Sequence, residues 1–366
     1  METDRGIRPE ITALTRAEVT PAFAQRLAQL DNAAADDRGL APRTSAEWLG
    51  RISGPRDTEH TLLPRRRHER PEPEPMVWLV RHVPQHPEHP RHPEHPADSP
   101  VPEPEPLTPA EAIGYASLLP VPGQPHAAAV QVAVLPAQRR AGLGSRLLRC
   151  ALQHARTHGL SELRAVAWHE AEGEAFLQAH GFAEAHQRHA VRRLDLSRSA
   201  ERRQRMAADV APYGVGYELS RVAGPAADDL VAELALLLDD AEPAGRWTRR
   251  LVYDMENRLL ARGTVYRVLA RHGDTGRLAG MTTLYVAPDT PDFARHEELV
   301  VAPAHRGHRL GLLMMLDMVA WLAEVEPRVG VTQGRHVADS TRLIGINDRL
   351  GSRVAGREVG YRRELD

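Results

Sequence analysis

Two short loops carry the residues best suited to chemistry. Residues 136–145, PAQRRAGLGS, place Arg139, Arg140, Ala141, Gly142, Leu143, Gly144 and Ser145 directly after a strand-like run, AAVQVAVL. Residues 303–311, PAHRGHRLG, place Arg306, Gly307, His308, Arg309, Leu310 and Gly311 after EELVVA. A loop that leaves a strand and opens a helix exposes backbone N–H groups that the helix cannot satisfy itself. The helix dipole adds partial positive charge at the same end, so the place suits an anion such as phosphate. Gly142 and Gly144 permit positive φ and close approach of a ligand to the backbone. Arg139 and Arg140 add forked donors for phosphate oxygens. The chemistry predicted is the holding of a diphosphate. A P-loop needs a Lys after its glycines, where Ser145 and Arg146 stand instead. A Rossmann fingerprint belongs near the start of its fold, whereas this loop follows the fourth strand.

The two loops are related by an offset of 167 residues, which aligns Pro136 with Pro303, Arg139 with Arg306 and Gly144 with Gly311. Gly181 and Gly351 follow at an offset of 170. Repetition on this scale reads as two copies of one domain. Each copy has the predicted order β-α-α-β-β-β-α-β-α-β, from strand-like runs such as MVWLVRH and TVYRVLARH and helical runs such as LGSRLLRCALQHARTHG and LGLLMMLDMVAWLAEVEP. The fold class expected is α/β, a mixed sheet with helices on both faces. The domains expected are 1–198 and 215–366, joined by a polar, partly helical linker at 199–214. Residues 81–109, rich in Pro, His and Glu, are expected to be a disordered or polyproline-like insertion. Its His86, His89, His92 and His95 read as part of a solvated low-complexity segment rather than a metal site.

Composition narrows the function. The chain has 366 residues, enough for two domains, and a formal net charge of −2, which gives no nucleic-acid footprint. Every basic residue is Arg, so Schiff-base chemistry and lysine general bases are excluded. The one cysteine, Cys150, leaves no internal disulfide or cysteine metal cluster. No apolar run reaches the ~20 residues needed to span a bilayer, and the N-terminus does not read as a secretory signal. A cytoplasmic protein is expected, with no metal, no nucleic acid and no membrane partner.

The pattern Arg-x-x-Gly-x-Gly after VAVLP resembles motif A of the GNAT acetyltransferase superfamily. FLQAHGF, residues 176–182, resembles that family's late helix ending in Gly-Phe, and the second half resembles the C-terminal part of tandem GNAT proteins found in actinobacteria. The resemblance implies that the first loop binds the pyrophosphate of acetyl-CoA and that Val132 and Val134 hydrogen-bond its pantetheine arm. By the same likeness Val301, the second loop and Asn347 form the corresponding set in the second half. Arg309 departs from the motif where its first Gly is expected, and Ser352 replaces the usual aromatic. Many family members place a proton-donating Tyr on the late helix, where this chain has Leu177 and Asn347.

Acetyl transfer to an amine needs a neutral amine, a polarised thioester carbonyl and good positioning. The central strand of the first half offers only Gln131, whereas that of the second offers Glu297 and Glu298. Strand alternation points one of these inward, and Glu298, on the face of Val300 and opposite Val301, is the candidate base. Tyr361, near the closing strands, is the second catalytic candidate. The function expected is transfer of acetyl from acetyl-CoA to a small-molecule amine, with one active and one degenerate domain. A non-catalytic acyl-CoA-binding sensor or scaffold is the alternative.

Overall fold

The computed structural model describes residues 7–34, 42–53, 74–84, 108–121, 124–197, 200–241, 247–338 and 340–366. Most of the expected insertion, including His86, His89, His92 and His95, lies outside the described residues. The first half runs β1 (Ile7–Thr15), α1 (Pro21–Ala34), α2 (Ser45–Ser53), β2 (Met76–Pro84), β3 (Gly114–Val121), β4 (Gln124–Val134), α3 (Leu143–Thr157), β5 (Glu162–Trp168), α4 (Glu172–Ala179) and β6 (Ala183–Asp195). After α5 (Ala200–Val210) come β7 (Tyr217–Ala223), α6 (Asp228–Ala241), α7 (Arg249–Leu260), β8 (Thr264–His272), β9 (Leu278–Val286) and β10 (Phe293–Val301). The chain closes with α8 (Leu310–Val325), β11 (Val331–Val337), α9 (Thr341–Leu350) and β12 (Arg353–Glu364). The element order read from the sequence is therefore present in both halves, as a mixed α/β fold.

The chain forms two compact units, and they do not coincide with the two halves of the sequence. Among the described residues, unit 1 holds 7–34, 74–84, 108–121, 124–165 and 362–366; unit 2 holds 42–53, 166–197, 200–241, 247–338 and 340–361. In unit 1, β1, β2, β3 and β4 pair antiparallel in that order. The start of β5 joins β4 in parallel, over Ala127–Ala129 against Glu162–Arg164. The tail is held there too, where Leu365 N–H donates to Ser161 O at 2.9 Å. Helix α3 lies on β2, β3 and β4. Its buried Leu143, Leu147, Leu148, Ala151, Leu152 and Ala155 form one stripe at helical spacing. Cys150 lies beside that stripe and is half-exposed, not in the core.

Unit 2 has the strand order β12-β6-β11-β10-β9-β8-β7. Here β10 and β11 are the parallel pair, over Phe293–His296 against Val331–Gly334. Strand β6, read in the sequence as the end of the first domain, pairs antiparallel with β11 along seven residues, from Val331↔Asp195 to Val337↔His189. That pairing draws residues 166–197 into unit 2. Helix α2 also belongs there, through Trp48, which has no exposed surface, and Glu47, which is 2.6 Å from Arg295 and accepts from Tyr285 OH at 2.7 Å.

Helix α8 has almost no polar face, and a helix apolar all round must be covered all round. Leu310, Met314, Met318, Trp321 and Leu322 pack with the strands, among them Tyr266, Val268 and Leu284. Leu312, Met315, Leu316 and Val319 pack with Val210, Leu194 and Leu350, and with Met206 and Ala207 of α5. The segment expected as a polar linker thus provides a cover for α8. A buried ion pair ties α7 to the sheet: Arg267 donates to Glu256 Oε1 at 2.6 Å and to Gly224 O at 2.7 Å, with both side chains nearly inaccessible. Removing one member leaves the other charge buried and unpaired. Arg267→Met should cost about 3–5 kcal/mol of stability in denaturant unfolding, and Arg267→Met/Glu256→Leu should recover much of the loss.

Candidate functional site

The two loops have the same backbone. In the first, Arg139 Nε donates to Val134 O at 3.2 Å, and in the second Arg306 Nε donates to Val301 O at 3.2 Å. Each loop takes positive φ at two places, 66° at Arg140 and 76° at Gly142, 94° at Gly307 and 52° at Arg309. At the offset of 167 these positions coincide, with glycine at the second place in one loop and at the first place in the other. Neither helix has a side-chain cap, because Gly142 and Arg309, each left-handed, are the N-cap residues. In the first loop this leaves the opening turn of α3, Leu143–Ser145, beside the exposed Arg139 and Arg140. That donor set fits a diphosphate.

The second loop is finished differently. Arg309 adopts a left-handed conformation at a cost of roughly 1 kcal/mol, and its guanidinium stacks on the Tyr213 ring at 3.8 Å. Tyr213 belongs to the short 3-10 turn Ala211–Gly214, which lies against α8. A Cβ placed on Gly214 would come within 2.9 Å of Leu313 Cδ1. At the second residue of α8, a Cβ on Gly311 would come within 2.8 Å of Ile346 Cδ1 of α9, with Leu299 next to it. The missing side chain at Gly311 lets Ile346 of α9 and Leu299 of β10 approach α8 closely. His308 lies against Tyr217, ring centroids 5.4 Å apart, in a group with His272 and His305.

Both parallel pairs part before the loop. β4 continues from Val130 to Val134, carrying Val132 and Val134, with pairing to β3 alone. β10 continues past His296, carrying Glu298 and Val301, with pairing to β9 alone. The backbone groups on the freed edge are those able to meet an extended ligand. In β10 the register shifts between His296↔Leu284 and Glu298↔Thr283, so Glu297 is an extra residue. Such a bulge interrupts alternation between Glu297 and Glu298, while Glu298 to Val301 keep a regular register against Thr283 to Gly280. Glu297 approaches Arg262 to 3.4 Å, and burial pushes its carboxyl above the ordinary range, with Arg262 offsetting only part of this. Glu298 is half-buried, and its carbonyl accepts from Thr282 Oγ1 at 3.0 Å.

Where β10 and β11 part, unit 2 has a cavity of about 20 Å³, lined among others by Arg192, His296, Thr332, His336 and Asn347. That is room for about one water molecule. His296 Nε2 and Thr282 Oγ1 are 2.9 Å apart, and His336 Nε2 is buried with no protein partner among the described residues. Asn347 turns back on its own helix, donating to Leu343 O at 2.9 Å. Tyr361 is 2 % exposed and its hydroxyl donates to Glu174 Oε1 at 3.1 Å; Glu174 Oε1 is also 3.3 Å from His169 Nδ1. Leu177 is a core residue.

Unit 1 holds a polar cluster that the sequence reading missed. Asp31 of α1 is 7 % exposed, and its Oδ1 accepts from Gln131 Nε2 at 2.8 Å and from the Tyr115 hydroxyl. Ser117, opposite Gln131 in the β3–β4 register, is wholly buried and its Oγ has no partner among the described residues. The signal was available, since Asp31 falls on the stripe Ala24, Leu27, Ala28 that faces the core. Among the described residues no group of three or more His, Cys, Asp or Glu is placed to hold a metal, and no helix is long and apolar enough to cross a membrane.

The model of the acetyltransferase (GNAT) family matches residues 67–182 and 232–336, more than half of the chain. Among solved structures, the chain is similar to a tandem GNAT protein from the clavulanic acid biosynthesis pathway, solved without AcCoA. The TM-score is 0.71 at 22% identity, over 98% of each chain. It is also similar to a GCN5-related N-acetyltransferase from Sphaerobacter thermophilus, with a TM-score of 0.57 at 16% identity over 97% of this chain and 95% of that one. At these identities the likeness is one of fold. No curated protein matches the chain in sequence.

The burial of His296 has a consequence for pH. Burial pushes its imidazole from the ordinary 6.5 down to about 4. Between those values the unfolded chain binds the proton and the folded chain does not. Stability is therefore full above the upper value and falls as pH drops toward the lower one, by about 3 kcal/mol at most. Urea unfolding from about pH 7 to about pH 4 should show this decline, and His296→Gln should show a shallower one.

Proposed function

The chain belongs to the acetyltransferase (GNAT) family, whose chemistry is acyl transfer, and from that premise we propose an acetyl-CoA-dependent N-acetyltransferase with one cofactor-binding half. The first half holds acetyl-CoA, and the second is a degenerate copy that supports the fold. One observation carries this reading. The same loop is built twice, and only in the second does an arginine occupy the left-handed N-cap, stacked on Tyr213, while Ile346 and Leu299 close on Gly311.

In the first half, the opening turn of α3 with Arg139 and Arg140 holds the diphosphate, and the freed edge of β4 at Val132 and Val134 holds the arm. Bound there, acetyl-CoA supplies a thioester carbonyl open to attack. The acceptor is the amine of a small molecule, and the setting is the cytoplasm. On this reading Glu298 and Tyr361 are structural: one stands on a bulged strand of the degenerate half, and the other has its hydroxyl on Glu174. A non-catalytic acyl-CoA sensor is the second reading, favoured by Leu177 and Asn347 at the place of the family's acid.

Calorimetric titration with acetyl-CoA separates these halves. The expected result is one site in the unmodified protein, lost in Gly142→Glu, which places a carboxylate at a strained φ of 76° in the anion site. Arg309→Glu, on the exposed second loop, should leave binding within about twofold, the scale of an ordinary surface change. Loss with Arg309→Glu alone would move the cofactor to the second half. No binding at all would overturn an acyl-CoA function.

A further inference from the structure

The first half lacks a carboxylate on its central strand, and the fold supplies one from elsewhere. At the offset of 167 Gln131 stands where the second half has Glu298. Gln131 lies two residues past Ala129, the last residue of β4 paired with β5, so it stands where the strand edge opens. Asp31 reaches the same spot from α1, with its Oδ1 2.8 Å from Gln131 Nε2. Its place on a helix stripe otherwise made of alanine and leucine is unfavourable for a charge unless a specific function or partner requires it. Ser117 adds a second anomaly, a hydroxyl with no exposed surface and no partner among the described residues, directly across from Gln131. Buried hydroxyls in folded proteins are normally bonded.

We propose that Asp31, with Ser117 and Gln131, forms the ammonium-binding site of the first half and that Asp31 takes the proton from the acceptor amine. This rests on the reading that the first half binds acetyl-CoA. A primary ammonium brings donors only, and the cluster provides a carboxylate, a hydroxyl and an amide carbonyl as acceptors. Gln131 is half-buried while Asp31, Tyr115 and Ser117 are buried, so Gln131 marks the side open to solvent. Tyr115 fixes the carboxylate through its hydroxyl. The ammonium passes one proton to Asp31, directly or through a water. The freed nitrogen lone pair forms the C–N bond at the thioester carbonyl, and the C–S bond breaks with its electron pair on sulfur. The second proton lost by nitrogen ends on that thiolate, and the proton on Asp31 returns to solvent. The products are the amide and the free thiol.

The test uses the full chain with ethylamine, a small primary amine that presents the group. Release of free thiol from acetyl-CoA is followed against ethylamine concentration, beside calorimetry with acetyl-CoA. Asp31→Asn should lower kcat/KM for ethylamine about 100-fold, the scale of a lost general base, with acetyl-CoA affinity and melting temperature kept. Ser117→Ala should raise KM for the amine and spare kcat. Asp31→Asn/Gln131→Glu, which returns a carboxylate to the strand, should recover part of the rate. Three results would each overturn the proposal: Asp31→Asn as active as the unmodified protein, no ethylamine-dependent rate in a protein that binds acetyl-CoA, or an unfolded Asp31→Asn together with an unaffected Ser117→Ala. Absence of acetyl-CoA binding in the unmodified protein is a different failure, that of the cofactor reading beneath it.

Discussion

The early parting of a parallel strand pair is the constraint on which the rest of the molecule depends. Strands stay paired only while their backbones run side by side, and each group they release must find another partner. β4 and β5 are paired over three residues and β10 and β11 over four, although all four strands are longer. Past that point β4 and β10 keep one neighbour and carry one free edge into a loop that opens a helix. The arginine at the head of each loop binds the carbonyl of the last strand residue and so fixes how the chain leaves the sheet. Free edge and helix start then each bring backbone groups without a regular partner to the two ends of one short, internally bonded loop. Only a ligand, water or neighbouring side chains can satisfy these groups.

The two halves differ in what packs around the helix that follows. Around α8, α5 covers the outer face, Tyr213 stacks on the N-cap arginine, and Ile346 meets Gly311. Around α3 the helix keeps a charged outer face, with Arg146 and Arg149 exposed, while the loop arginines are exposed in both halves. The difference lies in the composition of the helices. LGLLMMLDMVAWL cannot present a wet face, whereas LGSRLLRCALQHA places Arg146, Arg149 and Gln153 outside its buried stripe. One duplicated frame thus supports a helix with a charged outer face or one covered on nearly every side, according to a few side chains on the helix that follows.

Much of this was legible in the sequence because it is periodic or local. Strand and helix patterns gave the order of elements in both halves, and glycine and arginine spacing located the loops. Features that depend on pairing between distant segments were not legible. Nothing in EELVV marks Glu297 as a bulge, since the register shift arises only against β9. Nothing in HAVRRLDL says that β6 will pair with β11, a strand about 140 residues further on. Asp31 is an intermediate case. Its position among core-facing alanines and leucines is visible in the helix, but its partners Tyr115 and Gln131 lie on strands some 80 to 100 residues away.

The pairing of β6 with β11 makes the tandem arrangement indivisible. A repeat of two domains invites dissection into two gene fragments, each expressed alone. A cut at the apparent joint near residue 199 would strip β11 of its seven-residue neighbour and leave β6 with an unanswered hydrogen-bonding edge. Such an edge recruits whatever strand it meets. The two copies therefore work as a single inheritable unit, and neither can be lost, exchanged or fused elsewhere without a strand of the other.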